Sequence, residues 1–191
     1  MKSKLSMIAF VLILGSVLTT ALVSVDGYTA PLIEKNKVRK LHISVLKSLH
    51  IAYSEDNVDE IFSENVEAKK QGEIDFYISK GSGDVAFEFR GSGLWGPIIG
   101  TVALLPDLKT VKGITIIRQE ETPGLGSRIA EPEFLNRFEG KKISPRLMVQ
   151  GAGKAVGENE IDGITGATLS CKAFEEILNS ELKKYTSIIR E

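Results

Sequence analysis

A chain of 191 residues, 42% of them hydrophobic and with a net charge of −1, suffices for one domain with its own core plus a short appendage, and excludes two large domains. The balanced charge gives no electrostatic footprint for nucleic acid, and none is expected as a partner. A single cysteine, Cys171, excludes an internal disulfide and any metal cluster built on cysteine alone.

Lys2 and Lys4 precede an uninterrupted run of apolar and small residues over 5–25. At about 1.5 Å per residue this run reaches about 30 Å, the thickness of a bilayer core. The competing reading is a cleaved signal peptide, whose apolar core is about 7–15 residues. The run here is longer, and no small-x-small cleavage site stands out before Asp26. A retained single-span anchor over 1–27 is therefore expected. Lys2, Lys4 and the terminal amine favour a cytoplasmic N-terminus, whereas Lys35, Lys37, Arg39 and Lys40 on the far side count against it.

Residues 31–54 read as a helix, with Leu32, Val38, Leu41, Val45, Leu46 and Leu49 forming most of an apolar stripe. A second helix is predicted over 57–70, with Val58, Ile61, Phe62 and Val66 on one face and Asp56 or Asn57 as its cap. Together they make a helical juxtamembrane segment, 28–72, whose basic residues suit lipid headgroups. His42 and His50 lie here and read as surface or packing residues, not metal ligands.

From Asp75 the period changes to two. Strands are predicted over 75–79, 84–90, 98–105 and 111–118, with a turn at Lys80–Gly83 and a break at Pro106-Asp107. The last of these carries apolar residues on both faces, which predicts a central position. Between the second and third strands runs a glycine-rich loop, Gly91-Ser92-Gly93-Leu94-Trp95-Gly96-Pro97, with the one tryptophan of the chain. A short helix is expected over 133–138, a strand near 147–149 and a loop over 151–160. These elements belong to one domain, 73–191.

Two stretches carry the chemistry. Asp162-Gly163-Ile164-Thr165-Gly166-Ala167-Thr168-Leu169-Ser170 packs small and hydroxyl residues into a turn that runs into an amphipathic helix marked by Phe174, Ile177, Leu178, Leu182 and Tyr185. The turn therefore sits where the first helical amides lack partners and the helix dipole is positive. Gly163 and Gly166 would let backbone approach a ligand. Read from residues alone, this is either an ordinary helix cap or a seat for a phosphate. The other stretch is Gln119-Glu120-Glu121-Thr122-Pro123-Gly124-Leu125-Gly126. Pro123-Gly124 suits the central pair of a type II turn, so the loop is either a tight connection or a ligand wall.

Asp162 to Thr168 resembles the flavinylation motif of the FMN-binding-domain family, in which FMN is joined through a phosphoester to the last threonine, here Thr168. Glu121 to Gly126 resembles a second hallmark of that family, and the likeness covers about half the chain. It implies an α+β fold, in which an N-terminal transmembrane helix precedes an FMN-binding domain with a mostly antiparallel sheet flanked by helices. It implies covalent FMN on Thr168, with Thr165, Gly166, Ala167 and Leu169 beside it and Glu121, Thr122, Leu125 and Gly126 walling the ring. Trp95 either packs near that ring or serves the core.

Within the family, residues 93–100 and 105–113 resemble the NqrC component of the sodium-translocating NADH:quinone reductase (Nqr). The RnfG component of the related Rnf ferredoxin:NAD complex is the alternative, and this chain is short for NqrC. The implied function is that of a membrane-anchored flavoprotein subunit relaying electrons in an ion-translocating oxidoreductase. Its implied partners are other membrane subunits and a separate flavin transferase that uses FAD and magnesium. Its implied location is the inner membrane, with the domain on the periplasmic side. No catalytic residue, metal site or nicotinamide fingerprint is read in the chain, so no independent substrate site is expected. A stand-alone extracytoplasmic flavin carrier and a non-redox anion-binding module are the other classes the same motifs permit.

Overall fold

The computed structural model describes residues 2–72 and 74–189. By compactness the chain divides after Arg39 into two units. The first is the leading part of helix α1 (Lys2–Ser48), with Leu5, Phe10, Leu12, Leu18 and Val25 all exposed. Its mean hydropathy reaches 2.4 over an 18-residue window, which is long and apolar enough to cross a membrane. Hydroxyls on this helix turn back on its own carbonyls: Thr20 donates to Ser16 O at 2.8 Å and Ser24 to Thr20 O at 2.7 Å. The sequence predicts a separate helix starting at Pro31, but Pro31 lies inside α1. One proline removes a single ladder donor, and its neighbours Thr29, Ala30, Leu32 and Ile33 add no further breaker.

The second unit is built on a five-stranded antiparallel meander, β1 (Val66–Gln71), β2 (Ile74–Ser79), β3 (Val85–Ser92), β4 (Pro97–Leu104) and β5 (Val111–Arg118), in that spatial order. Strict alternation sends Val85, Phe87 and Phe89 to one face of β3 and Ala86 to the other. On the first face lies α4 (Thr168–Ile189), which buries Cys171, Phe174, Leu178, Leu182 and Tyr185. Tyr185 stacks on Phe87 at 3.9 Å, and burial pushes its hydroxyl up to about 12. On the opposite face Val45, Leu46 and Leu49 of α1 pack with α2 (Val58–Asn65) over Ala86 and Ala103. Thr101, fully buried on β4, donates to Ser44 O at 3.0 Å and so satisfies the hydroxyl pressed against that helix end. His42 stacks on Phe62 and meets Asp59 at 2.8 Å, and His50 meets Glu139 at 3.1 Å.

Two expectations are corrected. The second helix ends at Asn65, not Lys70, and Val66–Gln71 is strand β1. Pairing with β2 decides this, with Val66 opposite Ser79 and Gln71 opposite Ile74. Asn57 does take the helix N-cap position, but its Oδ1 accepts from Ser54 N–H and hydroxyl rather than capping. Strand β5 is at the sheet edge, not its centre. Both of its faces are covered all the same: Val111 and Ile114 join the α4 core, and Gly113 lies under Ser48 and His50. Its outer edge is closed in part by Gly140 N donating to Val111 O and Val111 N to Lys141 O, both at 2.9 Å.

Beyond β5 come a 310 turn (Gly126–Ala130), α3 (Pro132–Leu135) with Pro132 in its first turn, and the parallel pair β6 (Met148–Gln150) and β7 (Glu160–Asp162). Glu175 of α4 fastens this pair, accepting from Val149 N at 2.5 Å and from Arg146 at 2.8 Å. Strand β7 thus delivers the Asp162–Ser170 turn to the start of α4.

Candidate functional site

Thr168 is the first residue of α4 and is exposed. Ala167 N donates to Ile164 O at 3.1 Å, and Cys171 N to Ala167 O at 2.9 Å, which opens the helix ladder. The amides ahead of Cys171 stand where a helix carries partial positive charge. Gly166 reverses the chain at φ +85°, a conformation that a side chain would strain. Gly163 serves the protein rather than a ligand: a Cβ there would meet Gln150 O of β6 at 2.5 Å.

The other motif reaches this turn from the end of β5. Leu125 N donates to Thr122 O at 3.2 Å, and Gly124 has φ +73°, the type II geometry that Pro123-Gly124 predicts. Ser127 Oγ accepts from Gly124 N at 3.0 Å and fixes the loop tip. The Trp95 loop arrives from between β3 and β4, closed by Gly93 N donating to Gly96 O at 2.8 Å.

Trp95, Thr122, Leu125, Gly126, Gly166, Ala167, Thr168 and Leu169 line one open cleft of about 380 Å³. Leu94 and Ser170 join them. Three of the walls are apolar and exposed: Trp95 at 72%, Leu169 at 65% and Leu125 at 50%. Trp95 is therefore no core residue. Two residues expected at this cleft are elsewhere. Thr165 lines a neighbouring polar pocket with Arg128 and Arg137. Glu121 is buried behind the wall, where Oε1 accepts from Trp95 N at 3.1 Å and Oε2 from the Ser170 hydroxyl at 2.5 Å.

Leu94 and Ser170 lie in stretches read from the sequence but are not among the residues expected to meet the cofactor. Arg137, which lines the neighbouring Thr165 pocket, is also missed, and nothing in its local sequence marks it. Its Nη1 donates to Asp162 O at 2.8 Å and Gly163 O at 3.3 Å. Asp162 itself is held below the usual carboxylate range, chiefly by the Ala155 amide and then by those of Lys154 and Gly153, with Arg137 adding its charge. Burial pushes the Cys171 thiol up, which suits a packing residue under the turn.

The fold and cleft define an antiparallel domain on an apolar helix, with a hydroxyl-bearing helix N-terminus facing an apolar wall. Residues 93–183 match the family model of the FMN-binding domain. The G component of the Na(+)-translocating ferredoxin:NAD(+) oxidoreductase complex of Acetobacterium woodii is 30% identical over 193 residues, covering 97% of this chain and 92% of that one. The C component of the Na(+)-translocating NADH-quinone reductase of Chlamydia trachomatis is 33% identical over 129 residues, covering 55% of this chain and 40% of that one. The crystal structure of the corresponding reductase component from Parabacteroides distasonis superposes with a TM-score of 0.70 at 28% identity, covering 83% of this chain and 94% of that one. The chain belongs to the FMN-binding domain family, among relatives that are components of sodium-translocating reductases. It spans less than half the length of the Chlamydia trachomatis relative.

Proposed function

We propose that this chain is an anchored flavoprotein subunit that carries FMN covalently on Thr168 and relays electrons within a sodium-translocating reductase. The observation that carries the reading is the meeting of Thr168 with the Thr122–Gly126 loop and Trp95 at one cleft. In this reading residues 1–27 are the anchor, and the FMN-binding domain over 73–191 takes in the strand and helices of the 28–72 segment that pack on its sheet.

The residues present fit such a group. Amides at the start of α4 suit phosphate oxygens, and Thr168 is open to solvent, as an acceptor for an external transferase must be. In that step the Thr168 oxygen takes the FMN phosphoryl of FAD, its hydroxyl proton leaves and AMP departs. Leu125, Leu169 and Trp95 offer apolar surface to the faces of a planar ring, and Thr122 with the loop amides offers donors to its polar edge. The isoalloxazine ring, when held there, supplies electron transfer, and the chain supplies position and polarity. Gly166 and Ala167 leave room beside the tether, while Thr165 faces the Arg128–Arg137 pocket next to it.

The long apolar run of α1 would hold the domain at the inner membrane, on the periplasmic side, beside the other membrane subunits of the complex. Local likeness over 93–100 and 105–113 favours an Nqr-type assembly. One observation favours the Rnf-type alternative: the match to the Acetobacterium woodii protein runs over 97% of this chain. Subunits recovered with the tagged chain from its own membranes separate the two.

The test is to express the full chain with a flavin transferase and run it on a denaturing gel. Flavin fluorescence that stays on the band supports the reading, and a dark band beside a fluorescent known acceptor overturns it.

A further inference from the structure

Glu121 is 4% exposed, yet no ion pair among the described residues satisfies it. Its partners are neutral donors. Oε1 takes the Trp95 amide at 3.1 Å, and Oε2 takes the Ser170 hydroxyl at 2.5 Å. Its own amide is held by Gln119 Oε1 at 2.7 Å. One side chain therefore ties the Trp95 loop, the end of β5 and the first turn of α4.

The packing around it is closed. A Cβ on Gly126 would lie 2.5 Å from Ser170 Oγ and 2.9 Å from Glu121 Cβ, and one on Gly93 would collide with Glu121 Oε1. Glycine at these two positions leaves room for the carboxylate, a reason unrelated to ligand approach. Reach matters equally. The two acceptor oxygens bridge groups on separate segments, and an aspartate, one methylene shorter, cannot meet both.

We infer that Glu121 is the positioning residue of the cleft, a two-armed acceptor that fixes exposed Trp95 against the N-terminus of α4. It touches no ligand itself. Its consequence for a bound ring rests on the flavin reading above, but its effect on Trp95 does not. Reach and a hydrogen bond at each arm, not charge, perform the role.

Trp95 is the one tryptophan of the chain and so reports its own loop. The experiment uses the full chain in detergent, first without flavin. E121Q keeps the shape: its carbonyl accepts from Trp95 N and its amide donates to Ser170. Time-resolved anisotropy of Trp95 is expected to stay at the wild-type value in E121Q. In E121D it is expected to lose its slow component, with far-ultraviolet circular dichroism unchanged. Wild-type anisotropy in E121D, or equal loss in E121Q, overturns the inference. Should E121D fail to fold, S170A decides: removing the Oε2 arm must loosen Trp95, and an unchanged anisotropy overturns the inference. In the flavin-loaded chain, quenching of Trp95 emission is expected to fall in E121D and persist in E121Q. A chain that takes no flavin but shows the anisotropy pattern would sink the flavin reading and leave Glu121 in its role.

Discussion

Arg137 Nη1 donates to the carbonyl oxygen of Asp162 at 2.8 Å, so the residue that opens the Thr168 turn is braced from a second 310 turn (Asn136–Phe138), 25 positions upstream. The same nitrogen reaches Gly163 O, and the guanidinium lies 5.9 Å from the Phe134 ring. R137A is expected to destabilise the domain by about 1 kcal/mol, the worth of a charge-assisted bond at an exposed site. For a domain of this size that is a fall of about 2–4 °C in Tm. R137K, with one compact ammonium in place of the planar fork, should recover only part of it. Thermal melts of the three chains check both statements.

Asp162 gives a pH dependence. Its carboxylate accepts from Ala155 N at 3.0 Å, which holds it below the usual range. The folded chain therefore binds fewer protons there than the unfolded chain. The stability this contributes is full above the unfolded carboxylate value of about 4 and is lost as pH falls through the folded value. The melting difference between wild type and D162N should be present at about pH 6 and shrink as pH falls below the unfolded carboxylate value of about 4. Glu160, lowered chiefly by the Val156 and Gly157 amides, adds to the same acid limb and remains in both chains.

The two glycines of the Thr122–Gly126 loop should respond differently to alanine. At Gly124 nothing lies within 4 Å of an added Cβ, but φ is +73°, so G124A should cost about 1 kcal/mol through backbone strain alone. At Gly126 the added Cβ strikes Ser170 and Glu121, so G126A should cost about 1–3 kcal/mol through overpacking. Denaturant melts give both values. A smaller loss in G126A than in G124A would contradict the packing described around Glu121.

The motifs are legible in the sequence because short-range chemistry fixes them. Pro123-Gly124 imposes its turn wherever it lies, and the glycine and hydroxyl run before Phe174 announces a helix start. Strands β2 to β5 show in their alternation. Strand β1 does not: Val66 alone of its six residues is buried, and Lys69 and Lys70 guard its free edge. Only pairing with β2 makes it a strand, and pairing is not local. The place of β5 is hidden for a related reason, because covered faces look the same at an edge as in the centre. Glu121 shows the limit most clearly. Its residue type suggests a ligand wall, whereas its burial depends on segments 26 and 49 positions away from it arriving together.

The central claim is that the Thr168 hydroxyl, first in α4 and open to the cleft, carries the flavin. The direct measurement is tandem mass spectrometry of the Thr168 peptide from the full chain made with its transferase, beside T168A and T168S. The account predicts an FMN phosphoester on Thr168, its retention in T168S, and its absence in T168A with the domain still folded. An unmodified Thr168 peptide under conditions that modify a known acceptor, or flavin fixed to another residue, would contradict it.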